Sequence, residues 1–342
     1  MTKRILIVRL SAIGDSILSV PVLNALRRHM PEAKIGWVIE HASSQLIQGH
    51  TALDEMFTIS KRTLKSPREL WSLALQLRRW KPDITIDLQG LTKSSLLAWL
   101  SGAKTRLGFH RDAFDGRELS TFLNNRLCKP DAKHLVDRSL EILRLLGISD
   151  HRVEFELPES DRDADFADKA IRQSQLEGRF AIINVGAGWV SKIWPAERYA
   201  SVARHLDSHW GVPSLVVWAG ADERRAAEQV VELSEKSAQL APATTLQQLG
   251  SLIRRGSLFV GSDTGPMHLA VAVGTPTIGM IGPMPIERVR PYGARNLGIQ
   301  RDRLAEKSDR KTDCGPMLSI LPQDVQEACD RLMGEAIREN TE

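Results

Sequence analysis

Cysteine is scarce in these 342 residues. The three present, Cys128, Cys314 and Cys329, are odd in number and scattered, which excludes a disulfide framework and any C-x-x-C metal pair. Long apolar runs are also missing, since nothing approaches the roughly 18 consecutive apolar residues of a membrane-spanning helix. The apolar stretch Ile5 to Val8, flanked by Lys3, Arg4 and Arg9, is too short for a signal-peptide core and reads as a first β-strand. A reduced, cytoplasmic protein is the expectation. His and Cys show no zinc spacing, and no G-x-S-x-G elbow occurs. Neither a Walker A loop nor the G-x-G-x-x-G of a dinucleotide site is present.

What is present is an ordinary globular balance. Hydrophobic residues at 42% and charged residues at 26% argue against disorder, and the length suits two domains. The net charge of +4 conceals an asymmetry: residues 1–160 hold 24 Lys and Arg against 18 Asp and Glu, and the remainder holds 22 against 24. The excess is densest between Thr58 and Lys81. Arg78, Arg79 and Lys81 read as a solvated helix face, whereas the loop cluster Lys61, Arg62 and Lys65 is the better candidate for an anionic partner. Nucleic acid is not expected, because no aromatic interleaving accompanies these bases and no nucleic-acid motif appears elsewhere.

Short apolar runs alternate with helical periodicity along the whole chain. Strands Ile5–Val8, Gly36–Ile39 and Ile84–Leu88 are followed by helical patterns; one ends before Pro82 and another stops at Gly147. Pro21 lies inside the first helical pattern and should kink or shorten it. From Ile148 to about Asp165 the pattern lapses into charges, then the same alternation restarts at Phe180–Val185. The grammar is that of parallel sheets with helices on both faces. The expected segments are a Rossmann-like domain over 1–158, a second over 159–321, and a helix over 322–342 packing back on the first domain. Ligands of such open sheets bind outside the carboxyl ends of the strands, here in the cleft between two domains.

Three strand-to-helix turns carry candidate chemistry. Arg9-Leu-Ser-Ala-Ile-Gly-Asp15 places Asp15 at a helix start, as an N-cap or as a base for a substrate hydroxyl. Gly186-Ala-Gly188-Trp-Val-Ser191-Lys192-Ile-Trp-Pro195 offers backbone amides, a hydroxyl and a charge to an anion, or is an ordinary glycine-rich turn. Ser262-Asp263-Thr264-Gly265-Pro266-Met267-His268 would form a phosphate nest at a helix start, with His268 close by or merely structural. Glu223, after a further strand, suits ribose hydroxyls. Asp161, Asp163 and Asp165 have D-x-D spacing but read as a solvated helix start.

Taken in order with Asp87-Leu-Gln89-Gly-Leu-Thr-Lys93-Ser and Gly282-Pro283, these motifs resemble glycosyltransferase family 9, the ADP-heptose:lipopolysaccharide heptosyltransferases, over nearly the whole chain. The lysine-tryptophan-proline loop is nearer type I than type II members. The resemblance implies a GT-B fold, an α/β pair of Rossmann-like domains facing each other across a cleft. ADP-heptose would be held by the C-terminal domain and the anionic lipopolysaccharide inner core by the N-terminal one. It implies inverting transfer without metal or cofactor, at or near the inner-membrane surface. Asp15 then matches the general base and Lys192 the lysine on the donor phosphates. Gly188, Ser191, Glu223, Asp263, Thr264, Gly265 and His268 match donor-binding positions. Ala187 and Gly188 stand where some members have threonine, leaving phosphate contacts there to backbone or Ser191. Lys61, Arg62, Lys65, Gln89, Lys93 and Arg126 fall where the acceptor is held. Another GT-B sugar-nucleotide transferase and a non-catalytic nucleotide-sugar-binding protein are the alternatives.

Overall fold

The computed structural model describes residues 2–113, 116–149, 152–176, 178–304 and 309–339. They divide after Pro158 into two compact units, each built on one six-stranded sheet in which every pairing is parallel.

In the first unit the strands are β1 (Arg4–Val8), β2 (Lys34–Glu40), β3 (Glu55–Ile59), β4 (Ile84–Asp87), β5 (Thr105–Phe109) and β6 (Arg126–Cys128), in the order β3-β2-β1-β4-β5-β6. The central strands β1 and β4 are buried on both faces, which is why they read as unbroken apolar runs. The first helical pattern is split into α1 (Ile13–Ile17) and α2 (Val20–His29), and Pro21 occupies the first turn of α2, where its missing N–H costs nothing. Then come α3 (His41–Ser44), α4 (Pro67–Trp80), α5 (Thr92–Leu100), α6 (Ser120–Leu123) and α7 (Leu135–Glu141). Ser66 caps α4 by accepting from the Glu69 N–H at 3.3 Å. Leu73 and Leu77 face the core with Leu6, Val8 and Leu97. Lys81, in the left-handed region at φ 54°, ends the helix.

The second unit has β7 (Ala181–Asn184), β8 (Ser214–Val217), β9 (Ala238–Leu240), β10 (Leu258–Ser262), β11 (Thr277–Met280) and β12 (Asn296–Ile299), in the order β12-β11-β10-β7-β8-β9. Its helices are α8 (Asp161–Gln173), α9 (Ala196–Trp210), α10 (Gly220–Leu233), α11 (Leu246–Arg255), α12 (Gly265–Ala272), α13 (Ile286–Val289), α14 (Gly315–Leu318) and α15 (Pro322–Glu339). The acidic run does open α8: Ser160 accepts from the Asp163 N–H, and both Asp161 and Asp163 lie in the first turn.

The final helix, anticipated to pack back on the first domain, contributes to the second unit's own core. Val325, Ala328, Cys329, Leu332 and Met333 are buried with Tyr199, Ala203 and Leu206 of α9. The Asp330 carboxylate accepts from Trp210 Nε1 and meets His205 Nε2, both at 2.7 Å. The apolar stripe of α15 matches the outer face of α9, so burial there satisfies it locally.

The two sheets share one strand order. It reverses between β1 and β4 in the first unit and between β7 and β10 in the second, and these switch points are where open α/β sheets bind ligands.

Candidate functional site

At the second unit's switch point two loops are locked together. Lys192, in the turn after β7, donates from Nζ to Asp263 Oδ2 at 2.7 Å and to the Asp263 carbonyl at 2.8 Å. That uses two of its three donors. Its ammonium also lies 4.9 Å from the centre of the Trp189 ring. His268, on the first turn of α12, brings Nε2 to 3.3 Å from Asp263 Oδ1. Burial works against charge on Asp263, but the His268 hydrogen bond and the Lys192 ammonium outweigh it and hold the carboxyl below its ordinary value. Asn184, the last residue of β7, donates to the Gly186 carbonyl at 3.0 Å and to Thr264 Oγ1 at 3.5 Å.

Groups suited to an anion remain unused around this cluster. Thr264 precedes α12 without a side-chain cap on the helix, so the early amides and the positive end of the dipole are left for a ligand. His268 Nδ1 is buried and has no hydrogen-bond partner among the described residues. Gly188 is exposed, with open space where a side chain would stand. Glu223 reaches the same loop: Oε2 accepts from the Ala219 N–H at 2.8 Å, and a methyl group on Gly186 would overlap the carboxylate. Burial raises the Glu223 pKa above its ordinary value, against the pull of the Ala219 hydrogen bond.

Ser191 departs from its expected part. Its side chain is fully buried and its hydroxyl donates to the Arg310 carbonyl at 2.6 Å, while its N–H goes to the Lys311 carbonyl at 3.2 Å. It ties the lysine loop to the segment before α14 and presents no hydroxyl to a ligand.

At the first unit's switch point, Asp15 is the third residue of α1, one turn inside the position expected of a cap. Its Oδ2 nevertheless accepts from the Ala12 N–H at 3.3 Å and stands 2.9 Å from the Arg9 guanidinium. Arg9 is 8% exposed. It also donates to the Leu88 carbonyl at the end of β4, so it joins the two strands that flank the switch point. The Asp87 carboxylate is fully buried; burial raises its pKa, while bonds from Gly90, Ser94, Asn124 and Gln89 pull it back. These bonds shape the turn that carries Gln89 and Lys93.

The proposed acceptor residues separate. Lys61, Arg62 and Lys65 are exposed in the loop beyond the carboxyl end of β3, and Arg62 Nε lies 3.3 Å from Glu69. Lys93, near the start of α5, is half-buried 3.9 Å from Glu40. Gln89 is buried, and its side-chain oxygen accepts from the Leu10 N–H at 2.9 Å. That makes its side-chain oxygen a brace between the ends of β1 and β4. Arg126 begins β6 and lines a groove with Lys3, Lys81 and Lys104 at the amino-terminal ends of the strands. The parallel sheet points it away from the ligand edge.

Arg9, Trp189 and Asn184 were not singled out from the sequence. Arg9 had a readable signal, since an arginine closing a buried strand needs an anionic partner and Asp15 follows six residues later. Among the described residues no three His, Cys, Asp or Glu side chains gather as they would to hold a metal ion. No described helix is long and apolar enough to cross a membrane.

Comparison with known proteins gives one consistent result. The model of glycosyltransferase family 9 (heptosyltransferase) matches residues 70–317. Lipopolysaccharide heptosyltransferase 1 of Pseudomonas aeruginosa is 26% identical over 309 residues, covering 87% of this chain and 84% of its own length. Lipopolysaccharide heptosyltransferase 3 of Escherichia coli is 24% identical, covering 94% of this chain and 96% of its own. Among solved structures, a family 9 glycosyltransferase from Veillonella parvula superposes with a TM-score of 0.83 at 23% identity, covering 97% and 98% of the two chains. The E. coli heptosyltransferase WaaC, solved with ADP-2-deoxy-2-fluoro heptose, gives 0.73 at 21% identity, covering 96% and 99%. The fold is therefore that of the GT-B-type heptosyltransferases.

Proposed function

The chain belongs to glycosyltransferase family 9, the heptosyltransferases, and from that premise we propose that it transfers heptose from ADP-heptose to the inner core of lipopolysaccharide, without a metal ion and with inversion. The carrying observation is the Lys192–Asp263–His268 cluster beside the uncapped start of α12. It collects a cation, a spare imidazole nitrogen and free amides where a sugar diphosphate would lie, which is the electrostatic equipment a departing phosphate needs. Glu223, against the same loop, suits the ribose hydroxyls, and Gly188 leaves room for the diphosphate.

Asp15 is the base in this scheme. Its carboxylate takes the proton of the acceptor hydroxyl as that oxygen bonds to the anomeric carbon from the face opposite the leaving group. The bond from anomeric carbon to phosphate oxygen breaks, and ADP departs with the electron pair, its growing charge offset by Lys192, His268 and the α12 amides. Arg9, 2.9 Å from the carboxylate, orients Asp15. Lys61, Arg62, Lys65 and Lys93 receive the anionic acceptor at the carboxyl edge of the first sheet. The acceptor is lipid-borne, so the enzyme works in the cytoplasm at the inner-membrane surface.

The test is ADP release from ADP-heptose in the presence and absence of a Kdo-lipid acceptor. Acceptor-dependent release, unchanged by EDTA, is expected. No release, or activity abolished by EDTA and restored by magnesium, would overturn the scheme, and stronger thermal protection by UDP than by ADP would overturn the donor assignment.

A further inference from the structure

One broad face of the first unit is apolar and basic together. Helices α4, α5 and α6 pack in succession, on the side of the sheet that right-handed crossovers require. Outward they present Trp71 (58% exposed), Leu75 (38%), Trp99 (49%), Leu119 (57%) and Phe122 (78%). The buried stripe of α4 is already supplied by Leu73, Ala74 and Leu77, so Trp71 and Leu75 serve no core. Single exposed apolar residues need no explanation, but large ones gathered on three neighbouring helices do.

The margin of this face is positive. Arg68, Arg78 and Arg79 are exposed on α4. Below its C-terminus a groove of about 860 Å³ is lined by Lys3, Arg78, Lys81, Lys104 and Arg126, with Asp83 as the sole acid. Asp83 is engaged in accepting from the Arg4 N–H at 2.8 Å. Indole and phenyl rings beside lysine and arginine are the composition of a membrane-interface surface: the rings sit among the headgroups and the cations meet lipid phosphate. A second copy docking here by two-fold symmetry would set these cations against themselves, which like-charge repulsion disfavours.

We propose that the α4–α5–α6 face docks on an anionic phospholipid bilayer, with Trp71, Trp99 and Phe122 entering the interface and the groove cations on lipid phosphates. The assignment rests on the transferase reading for its purpose, delivery of a lipid-borne acceptor to the loop at Lys61–Lys65 that leads into α4.

Co-sedimentation of the full chain with vesicles tests it. Binding to phosphatidylcholine mixed with phosphatidylglycerol is expected, with little to phosphatidylcholine alone. Trp71→Ser, Trp99→Ser and Phe122→Ser together should weaken partition by about tenfold or more. Arg78→Gln and Lys104→Gln should each cost about fivefold at low salt. These side chains are exposed, so thermal unfolding should stay that of the parent chain, as should turnover of a soluble, delipidated acceptor, while turnover of vesicle-borne acceptor falls. Equal vesicle binding by parent and variants overturns the proposal, as does a parent dimer that the aromatic variant converts to monomer with vesicle binding intact. Loss of vesicle binding in the variants, in a parent that turns over neither acceptor, would uphold the surface and sink the transferase reading instead.

Discussion

The two units carry the same strand order and set a carboxylate beside a cation at the same topological position, but the two pairs are buried to different depths. Asp15 lies 2.9 Å from Arg9 with its side chain 38% exposed, whereas Asp263 lies 2.7 Å from Lys192 with its side chain 6% exposed. The open carboxylate can meet an incoming hydroxyl. The closed one is consumed by Lys192 and His268, and its work is to aim them. In the proposed scheme one fold thus serves as a base in the first unit and an anion cradle in the second, according to which partner of the ion pair is left accessible.

The sharpest way to break this contrast is Asp15→Asn. Asparagine can still accept from the Ala12 N–H, so the variant should fold and bind ADP normally, while kcat falls by about 10²–10⁴. A parent-like kcat in a chemistry-limited assay would remove Asp15 from the mechanism. Lys192→Met should cost about 10²–10³ in kcat. It should also cost about 3 kcal/mol of stability, because it strands a buried carboxylate; urea denaturation would show whether that second loss is absent.

Asp263→Asn sharpens the contrast through pH. The folded carboxyl titrates below its ordinary value. Its contribution is therefore complete above the unfolded value, near pH ~3.9, and is lost as pH falls through the lower folded value. The variant should melt lower than the parent at neutral pH, and the difference should shrink in acid; a constant difference would mean the pair does not govern it. Smallest is the effect of Lys61→Ser, Arg62→Ser or Lys65→Ser, each raising the acceptor KM about two- to threefold at low salt, as exposed charges do, and less at high salt. An equal rise in the donor KM would place that loop at the other site.

Legibility followed burial. Central strands such as Ile5–Val8 and Leu258–Gly261 stood out because both of their faces are covered. Strands β3, β6, β9 and β12, at the sheet edges, are not legible because they are only partly buried and half polar, and β5 because Thr105 and Arg106 break its run. The glycine turns after β1, β7 and β10 were readable, since phosphate-binding turns need those residues close together in the chain.

What the sequence determined by itself was the local part: the alternation of strand and helix, the turns at both switch points, and the order of motifs that marks the family. Only the tertiary structure decided which groups in those turns are spoken for. Lys192 takes Asp263 from 71 residues away, and the Gln89 side-chain oxygen is taken by Leu10 across 79. Ser191 turns inward to Arg310, Arg126 points to the wrong end of the sheet, and α15 stays with α9. Periodicity reports which side of an element is buried; it carries no information on which buried donor meets which acceptor, because that pairing is set by strand order and register between segments far apart in the chain.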